Sequence, residues 1–392
     1  RGRCNSRCGD RSGRVLEPLT GAMLIIEEAS KACLQALIYV CLLILALLNV
    51  AIVVARRAAA AVTYYPRWAM NMQLRDRSEE AQKKKPVVVI VGGSFAGLAC
   101  ARALSKDCDV VLIDRKRYFE YTPGVLRLFV EPALFPSLTA PLDTIQGVRF
   151  VEGTVCGAQD WRVTVRCNGN EDPLVCDAAI IATGSSYPGP IKASEAQGDA
   201  ASRAASWESA AAHLRTASTV LIIGGGPVGV ELAAEVACAH PRKKVVLVHS
   251  GAALCEPFAH PRSAAYCLRW LRARRNVEVI LEQKCQKVMQ GDDGSSVYKL
   301  SRGGRLISAD VVYECFGSKA DTGMLRSTLG YTMDPAGGLQ VEPTLQVKGT
   351  NRVFALGDAM TLAGCTDPKL GHNAEVQAKT VCENVKRVND GR

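Results

Sequence analysis

Residues 219–237 read TVLIIGGGPVGVELAAEVA: a short aliphatic run, a glycine turn and an alanine-rich stretch with helical spacing. Residues 87–104, VVVIVGGSFAGLACARAL, repeat the pattern about 130 positions earlier. Each stretch predicts a strand, a tight turn and a helix, and two copies of that unit predict two dinucleotide-type α/β domains. A dinucleotide pyrophosphate is held by backbone N–H groups at a helix start, provided no side chain blocks the approach. Gly224, Gly226 and Gly229 complete a GxGxxG, with Pro227 and Val228 inside it. In the first copy Gly92 and Gly97 are present, Ser94 takes the middle position, and Gly93, Phe95 and Ala96 complete the loop. The alternative for either motif alone is a plain strand-to-helix turn.

The next strand of such a unit ends on a residue that reads the adenosine ribose. VVLIDRK puts Asp114 there, 22 positions after Gly92 and followed by Arg115, which favours a nucleotide without a 2′-phosphate. VVLVHSG puts His249 at the matching place, with no carboxylate to repel a phosphate, so NADH and NADPH both stay open. The plainer reading of Asp114 is a turn cap.

Outward from these motifs, the 392 residues suffice for two or three domains, and 48% hydrophobic with 22% charged residues excludes a disordered or fibrous chain. The net charge of +10 is concentrated at the front. Residues 1–85 hold 14 basic against 7 acidic residues, and residues 86–392 hold 34 against 31. That balance argues against nucleic acid as a partner. The 16 cysteines include no CxxC and no zinc spacing, so no metal and no disulfide framework is expected, and a reducing compartment fits.

Residues 32–55, ACLQALIYVCLLILALLNVAIVVA, carry no charge, and as a helix they extend about 36 Å. They predict a transmembrane helix, with a cleaved signal or a buried helix as alternatives. Residues 1–31 form a basic segment before it. Residues 56–85 form a juxtamembrane linker ending in Lys83, Lys84 and Lys85, suited to anionic membrane lipid. Arg56, Arg57 and Arg67 outnumber Lys31, which predicts a single-pass membrane protein whose catalytic part faces the cytosol or an organelle interior.

IIATG, with Ala182, Thr183 and Gly184, and the later NRVFALGDA, with Gly357 and Asp358, resemble the paired signatures of two-dinucleotide-binding-domain flavoproteins of the pyridine nucleotide-disulphide oxidoreductase superfamily. The resemblance covers about residues 86–385. It implies two Rossmann-like domains, with FAD held by residues 86–190 and 341–392 and NAD(P)H by residues 191–340. Val155 and Gly317 join the candidate cofactor-binding residues on the same basis. The redox CxxxxC of the disulfide reductases is missing, so electrons leave the flavin directly. FEYTPGVLR, containing Pro123, is similar to segments of type II NADH:quinone oxidoreductases and of apoptosis-inducing-factor-like ferroptosis suppressor proteins. GVELAAEV and LVHS look nearer the second group.

In those families the glutamate matching Glu231 lies near the reacting rings, which implies a positioning or proton-handling role. Its alternative is a carboxylate placed in a first helical turn by the dipole. GHNAEVQAK resembles the helix over the flavin edge and makes Gln377 a catalytic candidate, with His372 either beside it or simply at the surface. The implied activity is a membrane-anchored NAD(P)H oxidoreductase passing hydride to FAD and electrons to a quinone-type small-molecule acceptor, with room for a homodimer. The alternatives are a flavin reductase for a protein electron carrier and a redox-sensing interaction protein with incidental turnover.

Overall fold

The computed structural model describes residues 85–391, apart from 168, 188, 257–258, 292–293 and 366–368. The apolar run 32–55 and its linker lie outside the described residues. Among the described residues no helix is long and apolar enough to cross a membrane.

The run VVVIV forms strand β1 (Val87–Val91), buried on both faces as a central parallel strand requires. It leads through the first glycine turn into α1 (Phe95–Leu104) and then β2 (Asp109–Asp114). β3 (Val148–Glu152) pairs with β2, and β4 (Ala178–Ile181) pairs with the other side of β1. After β4 the chain leaves this sheet through α2 (Ala200–Thr216) and repeats the motif as β5 (Thr219–Ile223), α3 (Pro227–Ala239) and β6 (Lys244–Val248). Helix α4 (Pro261–Arg272), β7 (Val277–Ile280) and β8 (Val311–Glu314) complete a parallel sheet of order β7-β6-β5-β8. The chain then returns. β9 (Val353–Ala355) adds to the first sheet, giving β9-β4-β1-β2-β3, and helix α5 (Gly371–Asn389) packs on α1. The first sheet is thus built from both ends of the described chain and the second from its middle. Each carries its own three-stranded antiparallel sheet, at 154–175 and 285–309.

Residues 118–138 tie the two sheets together. Their apolar side chains pack with α2, α3 and the second sheet in one core, where the Phe129 ring meets Trp207 and Tyr313 edge-on at 5.2 and 4.7 Å. An ion pair lies beneath. Arg203, 0% exposed, donates from Nε to Glu120 at 2.8 Å and from Nη2 at 3.1 Å, and the Trp207 indole donates to the same carboxylate at 3.1 Å. Two charges without solvent are tolerable only because every carboxylate oxygen is engaged.

Removing one partner strands the other. Arg203→Met is expected to cost about 3–5 kcal/mol in a guanidinium titration, and Glu120→Leu/Arg203→Met to cost less than Arg203→Met alone.

Candidate functional site

The two glycine turns are built alike, hydrogen bond for hydrogen bond. Gly92 N–H donates to the Ile113 carbonyl and Gly224 N–H to that of Val248, both at 2.8 Å. Gly92 at φ 107° and Gly224 at φ 116° adopt a backbone open to glycine, and a Cβ there would sit 2.3 Å from the Ala182 carbonyl oxygen or 2.5 Å from that of Cys315. Gly97 and Gly229 lie against these turns so closely that a Cβ would fall within 2 Å of the Gly92 or Gly224 oxygen. Neither Ser94 nor Gly226 caps its helix through a side chain, and neither helix has an acid in its first turn. The first N–H groups of α1 and α3 are therefore left for an anion.

The copies differ where the ribose would lie. Asp114 Oδ2 accepts from Gly93 N–H at 2.6 Å, while Oδ1 accepts from Lys116 N–H at 2.8 Å. It therefore caps its turn and also lines the cavity beside α1. In the second copy His249 Nδ1 accepts from Gly225 N–H at 3.1 Å, so a neutral imidazole takes the role of the carboxylate and carries its proton on Nε2. A Cβ at Gly226 or Gly317 would meet nothing within 4 Å, which leaves the second cradle open.

A cavity of about 360 Å³ runs along the first cradle. Gly92, Ser94, Phe95, Ala96, Asp114 and Arg115 form one wall; Val155, Ala182, Thr183 and Gly184 form the floor; Gly357 and Asp358 close the far side. Gly93 and Gly97 shape the turn from behind. Pro123, in the 3-10 turn Thr122–Phe129, forms the opposite wall, and Val228 and Glu231 reach in from α3. The second cradle, Gly224, Gly226, Pro227 and Gly229 with His249 and Gly317, stands outside this cavity, connected to it through α3.

The donor set fits FAD on the first cradle and NAD(P)H on the second. Thr183 Oγ1, on the cavity floor, is buried with no hydrogen-bond partner, as expected of a group reserved for a ligand. Ser185 Oγ donates to Asp358 Oδ2 at 2.6 Å, joining the two late motifs, and Arg115 pairs with Asp321 at 3.1 Å across the cavity.

Gln377 does not line the cavity. Its Oε1 accepts from Gly357 N–H at 2.8 Å, so it holds the loop bearing Asp358. Glu231 is the fifth residue of α3, past the first turn, which removes the dipole as its explanation. It stands at the cavity rim as an exposed residue whose carboxyl is partly desolvated, and that desolvation and then the neighbouring Glu235 push the carboxyl above the ordinary range. His372 is exposed.

Sequence reasoning missed Gly225, Ser185, Lys192 and Asp321. Lys192 lines the cavity, and burial lowers its ammonium pKa while Asp358 pulls the other way. Its only sequence signal is a basic residue shortly after IIATG.

The family model for pyridine nucleotide-disulphide oxidoreductases matches residues 86–378. Ferroptosis suppressor protein 1 of Xenopus laevis is 33% identical over 305 residues, covering 76% of this chain and 80% of that protein. Apoptosis-inducing factor homolog B of Dictyostelium discoideum is 28% identical over 333 residues, covering 80% and 83%. Among solved structures, a NAD-dependent persulfide reductase from A. fulgidus superposes with TM-score 0.62 at 20% identity, over 76% of this chain and 59% of that one. NDH2 from Plasmodium falciparum in complex with NADH superposes with TM-score 0.57 at 18% identity, over 71% and 65%. At such identities the structures establish the fold.

Two outcomes are expected. Gly226→Ala leaves the melting temperature and bound flavin unchanged, because its Cβ meets no protein atom, and weakens NAD(P)H binding about tenfold in titration, or about 1.4 kcal/mol. Glu231→Gln raises the melting temperature at neutral pH, because the wild-type carboxyl ionises at a cost in the folded state that glutamine lacks. The gain shrinks as pH falls toward 4.5, where the carboxyl is increasingly protonated in both states, and a melting series across pH reads it.

Proposed function

The chain belongs to the pyridine nucleotide-disulphide oxidoreductase family, and on that premise we propose that it is a membrane-associated NAD(P)H oxidoreductase whose acceptor is a quinone-type molecule. FAD and NAD(P)H are the cofactors of this family, and the two cradles suit them. Bound at the first cradle, FAD supplies a two-electron centre able to accept hydride from a reduced nicotinamide and to release electrons to a quinone.

The observation that carries the reading is the make-up of the cavity wall: Pro123 on one side, Val228 and Glu231 on the other, and no cysteine among the described lining residues. A relay through a protein disulfide needs a thiolate at that wall. With none there, the acceptor meets the centre directly, and the apolar Pro123, Val125, Leu126 and Leu370 suit a planar hydrophobic molecule. The other residues hold, orient and exclude water. The bare N–H groups of α1 hold the pyrophosphate, and Asp358, braced by Ser185, accepts from hydroxyl groups of the ligand. Phe95, packed edge-on against Phe119 at 5.4 Å, closes the site to water near the turn. Glu231, with its raised pKa, holds or moves a proton at its carboxylate oxygen where the two cradles meet.

The similarity to ferroptosis suppressor proteins supports a quinone acceptor, and the apolar run 32–55 supports a bilayer location for it. His249 in place of a carboxylate supports use of both NADH and NADPH.

The test is anaerobic titration of the purified full chain with each nicotinamide, followed by mixing with a short-chain quinone or with oxygen. The expected result is absorbance near 450 nm that bleaches with NADH and NADPH and returns much faster with quinone than with oxygen. Equal, slow return with both acceptors favours the sensing role over turnover. A protein that neither holds nor recovers the absorbance on adding FAD overturns the reading.

A further inference from the structure

Helix α4 carries Arg262, Arg269 and Arg272, the turn after it carries Arg274 and Arg275, and no acidic residue occurs from 257 to 277. The helix buries Ala264 and Leu271. At 3.6 residues per turn its opposite face aligns Arg262, Tyr266 and Arg269, flanked by Arg272, and Tyr266 is 58% exposed. The Arg274 guanidinium stacks over the Trp270 ring, 4.1 Å from its centroid. A second basic segment, Arg242, Lys243 and Lys244, precedes β6. Val245 pairs with Val277 across β6 and β7, and Val245 N–H donates to the Asn276 carbonyl at 2.8 Å, so this segment shares a rim with Arg274 and Arg275.

Within this group Lys243 is committed to the carbonyls of Arg215 and Ala217, and Lys244 lies 3.9 Å from Glu278, a carboxylate held more closely by Arg305. The six arginines have no carboxylate partner among the described residues. Without these eight cations, residues 86–392 hold 26 basic against 31 acidic residues, so this group outweighs the whole net positive charge of that part of the chain.

We propose that this face docks on an anionic phospholipid headgroup surface. The stripe follows a helix of 12 residues, about 18 Å, and continues onto the rim, a span that no single small anion can satisfy but a plane of phosphates can. Tyr266 and Trp270 have the half-apolar, half-polar rings favoured at headgroup depth. The rim lies at the strand starts, opposite the cradles at the strand ends. The proposal is independent of the acceptor assigned above.

The test uses the full chain in nanodiscs of brominated phosphatidylcholine, alone or mixed with phosphatidylserine. Trp270 fluorescence is isolated by subtracting the signal of Trp270→Phe. Quenching is expected only with phosphatidylserine and is expected to disappear at high salt. The docked-to-undocked ratio is expected to fall about fivefold for each arginine neutralised in Arg269→Gln, Arg272→Gln and Arg275→Gln. Absorbance at 450 nm and its bleaching by NAD(P)H confirm that these variants fold, and Arg262→Gln/Arg269→Gln serves if the triple variant does not. Equal quenching in both discs, or serine-dependent quenching that survives salt or the substitutions, overturns the proposal. Protection of Trp270 by a duplex oligonucleotide with no effect of phosphatidylserine also overturns it, in favour of nucleic acid.

Discussion

Unpartnered peptide N–H groups at the starts of α1 and α3 set the terms for everything around them. A helix start is electropositive and lacks partners for its first donors, a deficit that proteins usually cover with a serine, aspartate or acidic first turn. Here both starts are bare, and the structure keeps them so by spending glycines on the approach. Gly92 and Gly224 turn the chain back under the strand, and Gly97 and Gly229 let the helix press onto that turn. A side chain at any of the four would push helix and strand apart and dissolve the arrangement, whatever the rest of the domain did.

Given two cradles with one backbone, the difference between a held cofactor and an exchangeable one falls to the surroundings. The first cradle is covered. Phe95 packs against Phe119 and Tyr121, α5 lies over α1, and Lys369 and Gln377 grip the loop that presents Asp358. The second has open space at Gly226 and Gly317 and a neutral imidazole in place of Asp114. Burial slows release and open space permits it, so the pair forms a resident site beside a visiting one.

The strands, turns and helices of both units were legible because each is written within about 20 residues: aliphatic run, glycine, alanine-rich helix. The acid or imidazole that braces each turn was legible for the same reason. What escaped depends on partners far apart in the chain. Ser185 meets Asp358 across 173 positions and Arg203 meets Glu120 across 83, and neither pair has a local pattern. The bond from Gly357 N–H to Gln377 spans 20 positions and was not legible either, because the side of α5 that faces the Gly357 loop depends on how α5 packs on α1. For Glu231 the alternative of a first-turn carboxylate fails by one residue, because the helix begins at Pro227.

The wall opposite the glycines is supported separately from the cradles. Residues 122–138 form two 3-10 helices, Thr122–Phe129 and Pro132–Leu138, with prolines at both starts and Pro136 inside the second. Their position is imposed from below, by Phe129 between Trp207 and Tyr313 and by Glu120 on Arg203. Those supports belong to the connecting helix and the second sheet, whereas the surface they shape faces the cavity of the first. Side chains on the cavity face of this segment are therefore free to change without disturbing either glycine turn, and a change in the support beneath moves the whole wall at once.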